Sequence, residues 1–416
     1  MLRLRATWMR GGTSKCWLFD GGALEAAGAE PDRVLAAAFG AADPRQLDGV
    51  GGATSTTSKA AIVHRSTEPG IDVDYAFAQV GIGVDRVEWG SNCGNCATAI
   101  GLYALQSGLV PARHPRTTVR MRNLNTGALM ATSVPTPGGT VPETGEATVP
   151  GVESGGVPVE LAFLRPAGTT TGALLPTGRA VDWLELPDGS RAEAGAGPGT
   201  GASVGAAATL VDAGAPAALL AAADLGLDPA CGLEEVAARL PELTRLRRAA
   251  ALAMGLARPE DPVSHAVPKV GVVGPAADYR TTDGRSVSAR DHDLAVRMVS
   301  MHAPHPAIGL TSAVAVAAAA ALPGSTAALA LGADGERSAG GASDAGSGRR
   351  AGRRAALRLG TPAGVVEVRA EADPDGRLSS VSISRAARRL AVAELFVPLP
   401  DSRRLAARDV RPAQPA

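Results

Sequence analysis

The apolar positions of this chain mostly follow the two-residue period of β-strands. Residues 2–8 and 16–19 alternate or run apolar around a glycine-rich turn, which predicts an opening hairpin. Further strands are predicted at 60–63, 71–77, 84–89, 117–124, 159–164 and 270–273. Helical spacing covers 24–40, a helix-forming region spans 216–257, and 293–300 also reads as helical. Two helices open behind polar turns. Ser91-Asn92-Cys93-Gly94-Asn95 precedes one over 96–107, which Gly108 stops, and Thr311-Ser312 begins an alanine-rich one that runs to 322. The Pro/Gly/Thr-rich stretch 133–158 reads as a connection, and the Gly/Ser/Ala/Arg stretch 333–353 as a flexible insertion. Strands at 355–360, 364–371, 378–385 and 393–397 close the chain.

The expected class is therefore α+β, mostly strands with one buried helix per half, in an approximate duplication. A chain of 416 residues is too long for one core. It divides on this reading into 1–183, completed by a C-terminal strand at 384–400, and 184–383, which carries the insertion 333–353. Aromatic residues are only 3%, so the core must be built from Val, Leu, Ile and Ala.

A net charge of zero with no basic face excludes nucleic acid as a partner. The first 20 residues contain no apolar signal core, and the longest apolar run, 313–322, is about half a membrane span, so no membrane is expected. Four cysteines in a chain this long do not make a disulfide scaffold, and a reducing, cytoplasmic setting is expected.

The candidate chemistry starts from lysine. Of 41 basic residues only Lys15, Lys59 and Lys269 are lysines. Two of them end the same tripeptide, Thr13-Ser14-Lys15 and Thr57-Ser58-Lys59, and a Gly-Gly pair precedes each. Arginine does not replace a compact ammonium or a proton-transferring amine, so lysines kept in an arginine-rich chain are candidates for chemistry. Cys93 sits where a helix should begin, and the positive end of the helix dipole is expected to lower its thiol pKa. Such a group can act as general acid, general base or nucleophile, while the free N–H groups of the same turn hold a carboxylate or enolate oxygen. Packing as a small hydrophobe is the plainer reading of Cys93, and its neighbours Asn92, Gly94 and Asn95 speak against it.

Cys93-Gly94-Asn95-Cys96 is formally a CxxC. Zinc would need a second pair of ligands at finger spacing, which the chain lacks, and a redox motif usually follows a βαβ unit. Neither metal nor redox chemistry is the favoured reading. The glycine-rich segments near 49–52 and 81–83 lack the spacing and helix context of nucleotide-binding loops.

Met9-Arg10-Gly11-Gly12-Thr13-Ser14-Lys15, Gly51-Gly52 through Lys59, and Asn92-Cys93-Gly94-Asn95 closely resemble signature segments of the PrpF family. Arg122-Asn123-Leu124-Asn125-Thr126-Gly127, Leu175-Pro176-Thr177-Gly178, Leu210 to Gly214, Pro268-Lys269, 297–305 and 385–390 continue the likeness in order. The resemblance implies a diaminopimelate epimerase-like fold, with two similar domains that each wrap a curved, mainly antiparallel sheet around a central helix, and an active site in the cleft between them. It implies a cofactor-independent isomerase or tautomerase of aconitate, methylaconitate, methylitaconate or oxalomesaconate type, with no metal. Lys59 and Cys93 match the family's active-site lysine and cysteine, and Ser14 and Lys15 its first glycine-rich loop.

Asn92, Gly94, Asn95, His305, Thr311, Ser312 and Lys269 are the further candidates for binding the substrate. A small carboxylic acid is the expected partner, and the family leaves room for a homodimer and an aconitase-like pathway partner. Cys16 stands where the family usually has Gly, Ala215 where it commonly has Asn, and His302 and Pro306 where Gly and Arg are more usual. An epimerase would need a second thiol near 311, where none stands. A non-catalytic accessory protein would not need both Lys59 and Cys93.

Overall fold

The computed structural model describes residues 1–28, 30–89, 93–186, 205–261, 267–332 and 354–399. The predicted insertion 333–353 and the candidate Asn92 lie outside them. Chain contacts form two compact units: Met1–Gly127 with Val134–Thr144 and the segment from Ala387, and Ala128–Ser133 with Gly145–Ala386. This grouping puts 145–183 in the second unit, whereas the sequence division ended the first at 183.

In the first unit, β1 (Leu2–Gly11) and β2 (Ser14–Asp20) form the expected hairpin, pairing Ala6 with Phe19 and Gly11 with Ser14. Residues 387–397 of the last strand run antiparallel along the other edge of β1. β3 (Lys59–Arg65) lies parallel to β2, and β4 (Val73–Val80) runs antiparallel to β3, with Lys59 opposite Gln79. β5 (Val87–Glu88) and β6 (Arg116–Asn123) flank β4.

Two short helices, α1 (Gly21–Ala26) and α2 (Pro31–Phe39), replace the single helix expected at 24–40. The chain breaks at Gly28, which has positive φ, and Pro31 restarts it at a first helical position, where its missing N–H has no cost. Their apolar faces pack with Leu4, Ala6, Trp17, Phe19, Ala60 and Ile62 in one cluster. α3 (Gly94–Gln106) is the central helix. Every residue from Cys96 to Leu105 is buried, as a helix that is apolar all round requires, and it packs on β1, β2, β3 and β6. Ile100 and Leu102, both fully buried, each contribute about 2 kcal/mol by leaving water.

The second unit repeats the plan. β7 (Leu129–Pro135), β8 (Ala147–Val149) and β9 (Val152–Leu164) pair antiparallel, so half of the stretch read as a connection at 133–158 is strand. β10 (Asp182–Glu185), β11 (Gly205–Ala213) and β12 (Ala215–Ala221) follow in antiparallel order. α4 (Leu233–Ala238) and α5 (Leu240–Ala253) cover the outer face of those strands through a cluster that includes Leu184, Leu210, Leu220, Leu243 and Leu246. β13 (Lys269–Pro275) pairs parallel to β12 and antiparallel to β16 (Leu294–Ser300). Between them, β14 (Tyr279–Arg280) and β15 (Ser286–Val287) form a separate small hairpin, and β17 (Ala303–Pro304) turns back on β16.

α6 (Leu310–Ala320) is the buried helix here, packed on β11 and β12, with α7 (Thr326–Leu331) beside it. β18 (Arg354–Thr361), β19 (Gly364–Ala372) and the start of β20 (Leu378–Val397) complete the sheet. Two hairpin turns match in detail. Gly12 sits at φ +52 against the start of α3, and Gly214 at φ +71 against the start of α6. The duplication lies in this repeated turn-on-helix arrangement.

The helix-forming region at 216–257 holds α4 and α5, but its first residues are strand, and so is the helix expected at 293–300. Residues 216–220 carry no polar side chain and are all buried between β11 and β13, and tertiary pairing overrides alanine's helix preference. At 294–300 every residue but the last is buried, including Arg297. Its guanidinium donates to the carbonyls of Ala230, Cys231, Val296 and Gly360, so a charged residue occupies a fully buried strand.

Candidate active site

The first-unit group is built around the N-terminus of α3. Cys93 is its N-cap, extended at φ −118 and ψ 103, and half-buried. Asn95, one turn position on, donates from Nδ2 to Thr13 Oγ1 at 2.9 Å and Ser14 Oγ at 3.3 Å, which ties the β1–β2 turn to the helix start. The two glycines of that turn are steric requirements. A Cβ on Gly11 would lie 2.0 Å from Asn95 O, and one on Gly12 would lie 2.3 Å from Asn95 Oδ1. Gly12→Ala is expected to cost about 1–2 kcal/mol from the left-handed backbone alone and to push Asn95 off Thr13. A chemical denaturation midpoint unchanged from wild type would contradict this.

Lys59 opens β3 and is half-buried. Its Nζ donates to Gln79 Oε1 at 2.7 Å and stands 5.1 Å from the Phe77 ring centre, while Gln79 Nε2 donates to Ser58 O. The loop before it hangs on Gln46, a residue the sequence reading missed. Gln46 Oε1 accepts from Ser58 Oγ at 2.6 Å and from Ala53 N at 2.8 Å, and Gln46 Nε2 donates to Gly81 O. A Cβ on Gly51 would meet Gln46 Oε1 at 2.1 Å and displace the side chain that holds this loop.

The Lys59 ammonium lies within electrostatic reach of both Cys93 and Cys96. The thiol direction is the reverse of the sequence expectation. A hydrogen bond shared with Cys96 and then burial push the Cys93 thiol well above its ordinary range, against the weaker pull of Lys59 and the Cys96 backbone N–H. Burial likewise raises Cys96, whose sulfur also bonds to Cys16 of β2. At neutral pH Cys93 holds its proton.

Strand alternation separates the two Thr-Ser-Lys segments. Ser14 and Cys16 face α3, whereas Lys15 projects from the other face of β2, its Nζ 4.6 Å from the Trp8 ring, which stacks on Trp17. Lys15 N is bonded to Thr56 O at 2.9 Å, so the two loops are neighbours through their backbones.

A second group lies in the other unit. Lys269, at the start of β13, is held below the ordinary lysine range by burial and then by Arg247, which is 1% exposed and donates from a terminal guanidinium nitrogen to Met301 O. His305 is pushed below the ordinary imidazole range by burial and then by Lys269. Its Nδ1 accepts from Ala307 N at 3.0 Å, so the neutral ring carries its proton on Nε2. Gly309 caps α6 without a side-chain bond, Thr311 is half-buried and Ser312 buried. The first N–H groups of α6 have no partner within the helix.

Several motif residues turn out to be structural. Arg122 pairs with Asp74 through Nε at 2.7 Å, and Asn125 bonds both the N–H and the carbonyl of Phe77. Asp212 gathers Thr170 N and Thr171 N and Oγ1, and Thr177 and Arg179 both bond Asp182. These fix turns and strand ends. Among the described residues, no group of three or more His, Cys, Asp or Glu is arranged to hold a metal ion, and no helix is long and apolar enough to cross a membrane.

Burial depresses His292 and His305 below their ordinary value of 6.5. Stability from keeping them neutral is present above 6.5 and is lost as pH falls through their depressed values. The thermal midpoint is expected to rise between pH 5 and 7.5; a flat profile would show that these rings are solvated.

The family model described as PrpF protein matches residues 1–398. A relative from Shewanella oneidensis, described as 2-methyl-aconitate isomerase, is 36% identical over 420 residues, covering 96% of this chain and 98% of its own. One from Novosphingobium sp. (strain KA1), described as (4E)-oxalomesaconate Delta-isomerase, is 36% identical over 394 residues, covering 94% and 96%. A crystal structure of methylitaconate-delta-isomerase is similar with a TM-score of 0.79 at 30% identity, covering 95% of this chain and 96% of that one.

Proposed function

The chain belongs to the PrpF family, and on that premise we propose that it is an isomerase that moves a proton and a C=C bond beside a carboxylate. The substrate class is an unsaturated di- or tricarboxylic acid of aconitate, methylaconitate, methylitaconate or oxalomesaconate type. The observation that supports the mechanism is that the Lys59 side chain, at the start of β3, acts electrostatically on a protonated Cys93 thiol at the N-cap of α3.

Lys59, once it has given up its own proton, removes an allylic proton, and the electrons move onto the carboxylate as a dienolate. The N–H groups that open α3, at Gly94 and Asn95, stabilise the developing oxygen charge. The Cys93 thiol then delivers a proton at the other allylic carbon. This leaves an ammonium beside a thiolate, and proton transfer from Lys59 to Cys93 resets the pair.

Ser14 is proposed to contact substrate on the same side of β2 as Asn95. Lys15 is a weaker candidate because its side chain lies over Trp8. Lys269, His305, Thr311 and Ser312 are proposed as carboxylate-binding groups of the second unit, with His305 donating from Nε2. Asn92 is kept as a proposal on sequence grounds. The cytoplasm as setting, a homodimer and an aconitase-like pathway partner belong to the same proposal, to be tested by co-purification and solution mass.

The test is conversion of a panel of cis- and trans-aconitate, 2-methylaconitate, methylitaconate and 4-oxalomesaconate, with saturated tricarboxylates as inhibitors. Conversion of at least one acid, with competitive inhibition by a saturated analogue, is expected. No conversion of any of them would overturn the substrate class.

A further inference from the structure

The proposed mechanism uses one thiol, yet three meet at the start of α3. Cys93 is the N-cap, without a side-chain capping bond, and Cys96 the third helical residue, so both lie in the first turn of α3. Three residues apart at the start of one helix, their side chains are neighbours, and the Cys96 thiol also feels Cys16 of β2. Cys16 and Cys96 are 0% and 1% exposed, whereas Cys93 is half-buried, so Cys93 is the member of the cluster that meets solvent. Cys231, the fourth cysteine, belongs to the other unit. If only a small apolar filler were required behind Cys93, alanine would serve at position 96.

We propose that Cys93 and Cys96 form a reversible oxidation site for small hydroperoxides, in which a disulfide stores the oxidised state of the cluster. The Cys93 thiolate attacks the peroxide, taking one oxygen as sulfenic acid and releasing the alkoxide or hydroxide, so the sulfur is oxidised and the O–O bond is broken. The Cys96 thiol then displaces that hydroxyl as water and the S–S bond forms. The nearby Lys59 ammonium favours the thiolate in the first step. Burial opposes the same ionisation, so the reaction is slow beside that of a low-pKa sensor thiol and needs excess oxidant. Closing the disulfide spares Cys93 from irreversible oxidation to the sulfinic acid. The bond itself does not depend on the isomerase reading; only the loss of activity on oxidation does.

The full chain is treated with excess hydrogen peroxide, quenched, denatured and titrated for thiols. The count is expected to fall from four to two and to return to four with dithiothreitol. The tryptic peptide 87–113, which holds both residues, should lose two hydrogens without a cross-link to the Cys16 peptide. Cys96→Ser should instead carry Cys93 to an acid that dithiothreitol does not reverse, while Cys16→Ser should leave the disulfide intact. Unfolding curves of both variants establish that they fold. Four surviving thiols, a Cys16–Cys96 bond, or equal over-oxidation of Cys93 in wild type and Cys96→Ser would each overturn the proposal. Disulfide formation with unchanged turnover would leave this site standing and refute the catalytic role of Cys93.

Discussion

Lys59→Met is expected to abolish both turnover and solvent exchange of substrate hydrogens, a loss of about ten-thousand-fold. The methionine stem fills the same space beside Phe77, so the loss cannot come from a collapsed β3. The bond from Nζ to Gln79 Oε1 disappears, which costs about 1 kcal/mol of stability and leaves Gln79 still anchored to Ser58 O. Without the Lys59 side chain, and with Cys93 holding its own proton, the proposed base for the allylic proton is gone. Kinetics on the converted acid, together with a melting curve, check this. A variant that kept a tenth of wild-type turnover would assign the base elsewhere.

Cys93→Ala should separate two events that wild type couples. Isomerisation is expected to fall about a thousand-fold, within the range for losing one positioned acid. Hydrogen at the carbon that Lys59 deprotonates should still exchange with solvent, since the base and the N–H groups of Gly94 and Asn95 remain. The assignment follows from the raised thiol, which Cys96 and burial keep protonated. Cys93→Ser offers a hydroxyl that is a far weaker acid than a thiol, so it should restore little. If Cys93→Ala lost exchange and turnover in equal measure, Cys93 would be the base and the roles would reverse.

The architecture was readable in the sequence where patterning was strict. The α+β class and the two buried helices behind polar turns follow from period-two strands and two all-apolar helices, whereas the diaminopimelate epimerase-like plan was implied by the family resemblance alone. Reading failed where burial on both faces erased the alternation. Residues 216–220 are apolar throughout and 294–299 apolar but for Arg297, a pattern that fits helix or strand, and their pairing with β13 decides. The glycines at 11 and 12 are met by Asn95, far off in sequence, which no local pattern reveals, whereas Gly51 is met by its near neighbour Gln46.

The sign of the Cys93 shift was not readable either. A helix N-terminus predicts a lowered thiol, and the outcome turned on a neighbouring sulfur and on burial, which only the folded chain supplies. Lys15 shows the limit of motif matching. Its tripeptide repeats that of Lys59, yet strand alternation turns its side chain to the Trp8 face.

The most direct test of the account is proton NMR in deuterated water on the acid that the wild-type chain converts, with Cys93→Ala and Lys59→Met run alongside. The account predicts deuterium in both the remaining substrate and the product with wild type, in the substrate alone with Cys93→Ala, and in neither with Lys59→Met. Product formed by Lys59→Met at the wild-type rate would contradict it.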